Sequence, residues 1–326
     1  MPLFRPAIRS VPLLLGIVAF VLVVLLFGRI PGDARWARVV GDAAHAPALG
    51  VITIVLIALL RRLQPDGPRV LLQYAIAIAI ALSLGALVEL VQLGTGRDAS
   101  MLDLARDALG SLGAAGFLAA YDPRVRALPE HVAIRRTGLL LGVLATLVVT
   151  MPLLTASGAY VQRAREFPIL VNFDSPLSTY FVGAYGAVTV ERHALPSNHT
   201  QQESEVVGLR AHTLGRGGWA IVLWEPCPDW RGFDHLALEL VNTSSLPLVT
   251  RIRIRDRNPR SARNTGYTGL IEVEPRSRKV QKIRVQEITS AGGSAELDPA
   301  GIRSLSLAAH PANRATDFYI TRIWLE

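Results

Sequence analysis

Gly85–Gly113 reads GALVELVQLGTGRDASMLDLARDALGSLG, an apolar stretch that abruptly carries Glu89, Gln92, Arg97, Asp103 and Asp107. A charge inside a bilayer costs about 2.5 to 3.5 kcal/mol even on insertion scales, so such groups need partners. Glu89 and Gln92 stand three apart and Asp103 and Asp107 four apart, so each pair projects from one helix face. Between them, Gly94-Thr95-Gly96 predicts a turn that folds the second helix back beside the first and gathers both faces around Arg97. One polar cluster is expected where two membrane helices end.

The surrounding sequence reads as an α-helical transmembrane bundle of about five spans over residues 1–160. Arg5 and Arg9 precede the apolar run Val11–Phe27, which is followed by no convincing small-x-small cleavage site and therefore reads as a retained span. A second run, about Ala44–Leu60, stops at Arg61-Arg62. The third, about Val70–Leu93, alternates Ala and Ile in its middle like a strand, but its length decides for helix. The fourth, about Met101–Tyr121, carries Gly110, Gly113 and Gly116 on a ridge suited to close helix packing. The fifth covers about Gly138–Leu154.

Charge supports this division. Half of the 326 residues are hydrophobic, and the net charge of +8 is not spread evenly. Up to Arg165 there are 16 arginines against 9 acidic residues, while the remainder carries 18 basic against 17 acidic. The excess flanks the spans, as the positive-inside rule requires, and no basic helix with interleaved aromatics speaks for nucleic acid. Nine arginines (Arg5, Arg9, Arg61, Arg62, Arg69, Arg124, Arg126, Arg135 and Arg136) then face the cytoplasm. Asp42, His45, Glu89, Gln92 and Asp103 fall together at the outer face.

Those polar residues carry a resemblance. Glu89-x-x-Gln92, then Arg97, Asp103 and Gly110, with Asp42-Ala43-Ala44-His45 opening the second span, resemble the signature of the VanZ-like membrane protein family over about Val11–Tyr121. The resemblance implies a multi-pass protein of the bacterial inner membrane and cell envelope; the family's namesake raises resistance to a lipoglycopeptide antibiotic. Where that family usually has Asn, this chain has Asp107, an acceptor that requires a cation or a proton, with Arg106 or Arg97 as candidates.

From about residue 166 to the end, short runs rich in Val, Ile, Leu and aromatics alternate with Gly, Pro, Asn and Asp turns, which predicts an all-β sandwich or jelly roll. Expected strands are Tyr180–Tyr185, Ala187–Arg192, Trp219–Trp224, Leu236–Val241, Thr250–Arg255, Leu270–Val273, Val280–Val285, Ser304–Ala308 and Phe318–Trp324. In Arg251-Ile252-Arg253-Ile254-Arg255 the alternation sends every Ile inward and every Arg outward. The phrases Asp229–Leu236, Glu239–Asn242, Ile252–Asp256 and Asp317–Trp324 resemble carbohydrate-binding-module jelly rolls with a galactose-binding-type fold, here expected as an extracytoplasmic domain. Trp230, just before a strand, is the candidate saccharide platform, whereas Trp219 and Trp224, five apart, face opposite ways. Cys227, the only cysteine, reads as a small buried apolar residue.

Three readings of the outer-face cluster Asp42, His45, Glu89, Gln92, Arg97, Asp103 and Asp107 stand side by side. It can bind a membrane lipid or the head group of a lipid-linked glycan, with Arg97 as the charge clamp. It can belong to an enzyme acting on a lipid-linked envelope intermediate, with His45 or Glu89 as base. It can also be a polar lock that fixes helix register, the whole protein then being a structural tether. Asp42, His45, Glu89 and Asp103 have metal-ligand chemistry, but no His-Glu-x-x-His or Cys pair fixes a geometry, so neither a metal nor another cofactor is expected.

Overall fold

The computed structural model describes residues 10–28, 30, 34–64, 69–94, 100–196, 206–214, 217–257, 266–290, 297–313 and 316–326. The chain divides into two compact units, Met1–Ala156 and Ser157–Glu326.

The first unit is helical: α1 (Val11–Phe27), α2 (Arg35–Leu63), α3 (Val70–Gly94), α4 (Met101–Tyr121), the single turn α5 (Pro123–Arg126) and α6 (His131–Glu166), whose last turns from Ser157 belong to the second unit. Among the described residues, α2, α3 and α6 are long and apolar enough to cross a membrane. The sequence led to an expectation of five spans. All five helices form, but α1 has only 17 residues and α4 opens with Asp103, Arg106 and Asp107. Helices α2 and α6 also run well past their apolar cores, because hydropathy marks the greasy part of a helix and charged flanks continue its hydrogen bonding.

Small residues bring these helices together. A Cβ on Gly110 would overlap the Ala46 carbonyl of α2, one on Gly113 would lie 2.8 Å from the Ala145 side chain of α6, and one on Gly116 would press on the Gly138 carbonyl. The glycine ridge of α4 therefore serves two neighbours. Leu49, Ile52 and Ile57 of α2 and Ala77 and Ala81 of α3 form the centre of the bundle.

The second unit is an antiparallel β-sandwich. Its strands are β1 (Ile169–Asn172), β2 (Val182–Gly186), β3 (Val188–Ala194), β4 (Val207–Thr213), β5 (Trp219–Trp224), β6 (His235–Asn242), β7 (Leu248–Asp256), β8 (Tyr267–Val273), β9 (Arg278–Arg284), β10 (Ile302–Ala309) and β11 (Asp317–Leu325). One sheet runs β3-β4-β11-β6-β9, with β1 also on β11; the other runs β2-β5-β10-β7-β8. From β4 onward successive strands come in pairs split between the sheets, so β4-β11-β6-β9 faces β5-β10-β7-β8 in jelly-roll order. Leu236, Leu238 and Leu240 of one sheet meet Ile252, Ile254 and Leu307 of the other in a single core.

Differences from the expected strands have local causes. Ser175 caps Leu177 N, and Pro176 starts a 3-10 turn over Pro176–Phe181, so β2 begins only at Val182. Strand β4 escapes a pattern reading because its alternation is broken by Gly208, and it is held by partners on both edges, β3 and β11. After β9, Val285–Ser290 turns into a short helix, α7, that sends Ile288 into the core.

Candidate functional site

Three helices build a polar centre at one end of the bundle. His45 from α2, Glu89 and Gln92 from α3 and Asp107 from α4 are all buried, Asp107 at 1% exposure. His45 Nδ1 lies 3.3 Å from Asp107 Oδ1. Glu89 Oε2 accepts from the Ser100 backbone N–H at 2.9 Å, which pins the start of α4 to α3, and Gln92 Nε2 donates to Leu25 O of α1 at 3.1 Å. One ligating atom each from His45, Glu89 and Asp107 can be chosen so that all three lie within 4.8 Å of one another. Asp107 Oδ2 rests where a side chain on Gly85 would be, 2.7 Å from the position of a Cβ there.

Beside this centre sits a separate ion cluster. Arg106 pairs with Asp103 on its own helix and reaches Asp42 Oδ2 at 3.5 Å. The expectation that Arg106 would neutralise Asp107 is thus corrected: one helical turn points Arg106 toward Asp103 and Asp42, and Asp107 faces His45 instead. Arg97, the expected clamp, lies outside the described residues, as do Thr95 and Gly96 of the turn before it.

The cluster is incompletely satisfied. Glu89 Oε1, Asp107 Oδ2 and Ser111 Oγ are buried and have no hydrogen-bond partner among the described residues. A second polar group, not anticipated from sequence, lies at the opposite end of the bundle and is nearly complete. There Asp122 pairs with Arg61 and accepts from Tyr74 OH at 3.0 Å, Tyr74 OH accepts from Arg61 at 3.0 Å, and Arg61 Nε alone goes unused. Arg61 reads in sequence only as a charge flanking a span; Asp122, in Asp-Pro after an apolar run, is a helix cap whose second oxygen was free to pair.

Alongside the first cluster runs an apolar cleft of about 370 Å3 between α2, α4 and α6. Ala43, Ala46 and Gly50 form one wall, Leu109, Gly110 and Ala114 the second, and Val149 and Leu153 the third. Ala43 and Ala46 bracket His45 in α2 and Leu109 and Gly110 come shortly after Asp107 in α4, so the cleft runs along neighbouring faces of the same two helices, without His45, Glu89 or Asp107 in its lining.

In the second unit, Trp230 corrects an expectation. It is fully buried, its Nε1 donating to Cys227 O at 2.8 Å and to Pro226 O at 3.2 Å, and it provides no platform. The carbonyls of Pro226 and Cys227 hold the ring inside the sandwich core, a placement that position before a strand does not reveal. Cys227 is half-buried, and burial pushes its thiol up, as befits a packing residue. The outward face of the five-stranded sheet is more open. Cross-strand register aligns Tyr185, Ala220, Ala308, Arg251 and Leu270 in one row and Gly183, Val222, Ser306, Arg253 and Thr268 in the next. Trp224, Ser304 and Arg255 follow. Small residues thus form a shallow trough with Tyr185 and Trp224, 6.5 Å apart edge to face, on one bank and three arginines on the other. Arg251, Arg253 and Arg255 make no ion pair with any described residue, while Ile252 and Ile254 between them are fully buried, as the alternation predicted.

No protein-family model matches the chain, and no curated protein sequence does. Among solved structures, the C-terminal unit resembles the β-sandwiches of carbohydrate-binding modules. A family 11 module from Clostridium thermocellum in complex with a β-1,3-1,4-mixed-linked tetrasaccharide is 19% identical, covers 48% of this chain and 93% of its own, and has a TM-score of 0.37. A family 30 module of a Clostridium thermocellum cellulosomal cellulase is 12% identical, with coverage of 48% and 95% and a TM-score of 0.35. An exo-β-agarase matches over 48% of this chain and 24% of its own, at 12% identity and a TM-score of 0.40.

Proposed function

We propose that the chain is a multi-pass, VanZ-like protein of a bacterial inner membrane that binds an envelope lipid or a lipid-linked glycan. The head group sits at the His45–Glu89–Asp107 cluster and a chain lies in the adjoining cleft. The observation that carries this reading is the presence of both parts in one bundle: buried polar atoms with unused hydrogen-bonding capacity and, on neighbouring turns of α2 and α4, a cleft whose walls are apolar and of ligand size. A lock would have its polar atoms paired, as Asp122 does at the other end. An amphiphile matches both parts at once, and a soluble substrate would leave the cleft unused. The carboxylates and His45 also contain a base for the alternative enzymatic reading.

For the second unit, the arginine-lined trough favours a saccharide that carries carboxylate or phosphate groups. Guanidinium forks match such groups in pairs, and the rings beside them suit the apolar faces of sugars.

The lipid reading is tested by native mass spectrometry of the full-length protein, gently extracted, beside Val149→Trp, which fills the cleft from its α6 wall. Wild type is expected to retain a species with the mass of a phospholipid or lipid-linked sugar that the folded variant has lost. Equal lipid on both would sink the reading.

A further inference from the structure

We propose that His45, Glu89 and Asp107 form a binding site for a divalent transition-metal ion, with Zn2+ the best match and Mn2+ next. The three side chains come from three different helices, so their meeting is a product of tertiary packing and is invisible to spacing motifs. All three are buried, at 9%, 7% and 1% exposure, and each offers a ligand atom within 4.8 Å of the others.

Two further observations point to a cation. Glu89 Oε1 and Asp107 Oδ2 are buried without a partner among the described residues. Leaving a buried acceptor unsatisfied costs about 1 to 3 kcal/mol, and more when it is charged. Arg106 is engaged by Asp103 and Asp42, and His45 is the one basic side chain among the described residues that pairs with Asp107. A dication offsets both charges, and with Asp107 bidentate it takes up Glu89 Oε1 and Asp107 Oδ2 together with Oδ1. The second observation is a distance. His45 Nδ1 and Asp107 Oδ1 are 3.3 Å apart, beyond the usual range for a charge-assisted hydrogen bond. Two ligands of one tetrahedral zinc, bound at about 2.0 to 2.2 Å, stand roughly 3.4 Å apart.

Imidazole nitrogen with carboxylate oxygen selects borderline ions over Mg2+ or Ca2+, and the absence of thiolate from the three side chains disfavours copper(I). Three protein ligands leave a fourth position for an exogenous oxygen. The ion's part in ligand binding rests on the lipid reading above: two carboxylates alone would repel a phosphate head group, whereas a bound dication attracts it. Metal binding itself does not depend on that reading, and because the test measures metal and not lipid, either can fail alone.

The experiment uses full-length protein, purified in detergent without a histidine tag, stripped with EDTA and dialysed against Zn2+. Wild type is expected to retain about one zinc per chain by elemental analysis and to melt at a higher temperature than the stripped form. Glu89→Gln and Asp107→Asn, which keep side-chain size, are expected to weaken zinc by at least about 100-fold, beyond the loss typical of an outer-shell change. Asp103→Asn, in the neighbouring ion cluster, is expected to keep it. Helical circular dichroism identifies any variant that fails to fold, and Co2+ on the wild type supplies a readout that needs no variant: visible bands of a nitrogen–oxygen site without a thiolate charge-transfer band. Zinc-free wild type, equal zinc on wild type and folded Glu89→Gln, or loss in Asp103→Asn matching that in Asp107→Asn would overturn the proposal.

Discussion

Asp107 and Asp317 are both carboxylates facing a histidine, yet their surroundings give them different work. Asp317, on β11, lies across from β4 and is half-exposed; His212 Nδ1 is 3.1 Å and Arg210 Nη2 3.0 Å from its Oδ1. Burial by itself would raise its affinity for a proton, but the bonds from His212 and Arg210 together outweigh that and hold Asp317 below the usual carboxylate range. The sign of the consequence follows. A depressed folded-state value means that the contribution is present above the ordinary aspartate value of about 3.9 and is lost as pH falls through the folded one. We predict that, in urea unfolding of the full-length protein followed by tryptophan fluorescence, wild type will exceed Asp317→Asn in stability at pH 6 by up to about 1 kcal/mol, as for an exposed ion pair. The gap should close as pH approaches 2. A gap that stays constant over that range would show that the side chain acts by packing and not by charge. At this scale the sequence was a partial guide. It marked Asp107 as a residue needing a partner, and the need was real, but the choice of His45 over arginine depends on which way two helices are rotated about their axes. The burial of Trp230 likewise depends on a turn whose path no periodicity encodes.

Elements were more legible than residues, because each is governed by its own periodicity. The apolar runs marked the positions of α1, α2, α3, α4 and α6, and the Arg-Ile alternation of β7 assigned both faces of that strand correctly. What alternation could not supply was the neighbour on either side. Pairing of β7 with β10 sets Arg253 beside Ser306 and Arg251 beside Ala308, and it is this pairing that turns three outward arginines into one bank of a trough. If the trough takes an acidic saccharide, the full-length protein should bind polygalacturonate more tightly than a neutral mixed-linked β-glucan in affinity electrophoresis. The preference should fade with salt, since exposed charges are screened within about 10 Å at 0.1 M ionic strength. Reversing two charges in Arg251→Glu/Arg253→Glu should weaken the interaction by at least about tenfold, some 1.4 kcal/mol, while outward surface positions leave the fold intact. Tighter binding of the neutral glucan, or an unchanged affinity in the double variant, would exclude the arginine face as the contact surface.

Across the whole molecule, charge separates the two ends of the helical unit. The Arg61–Tyr74–Asp122 group joins the end of α2, the start of α3 and the end of α4, and Arg135 Nε donates to Ala120 O at 2.7 Å, which adds the start of α6 to the same end. Arg61, Arg62, Arg69, Arg124, Arg126, Arg135 and Arg136 all belong there, against Arg35, Arg38 and Arg106 among the described residues near the other end, where Asp42, Glu89, Asp103 and Asp107 are found, and Arg163 and Arg165 in the last turn of α6. Lysine and arginine bias in short loops sets orientation, and carboxylates count for little. On the membrane reading proposed above, the arginine-rich end faces the cytoplasm and the polar cluster faces outward. On the same reading α6, which begins at the arginine end, delivers the chain to the outer side. Alkaline phosphatase fused after Glu326 should then be active, and a green fluorescent protein in its place should be dark. Replacing Arg61, Arg62, Arg124, Arg126, Arg135 and Arg136 by glutamine should blur that difference, because the bias is then removed and not merely moved. The reverse reporter pattern in the unaltered chain would turn the His45–Glu89–Asp107 centre toward the cytoplasm. The amphiphile it binds would then have to be drawn from the inner leaflet, before any lipid-linked glycan has crossed the membrane.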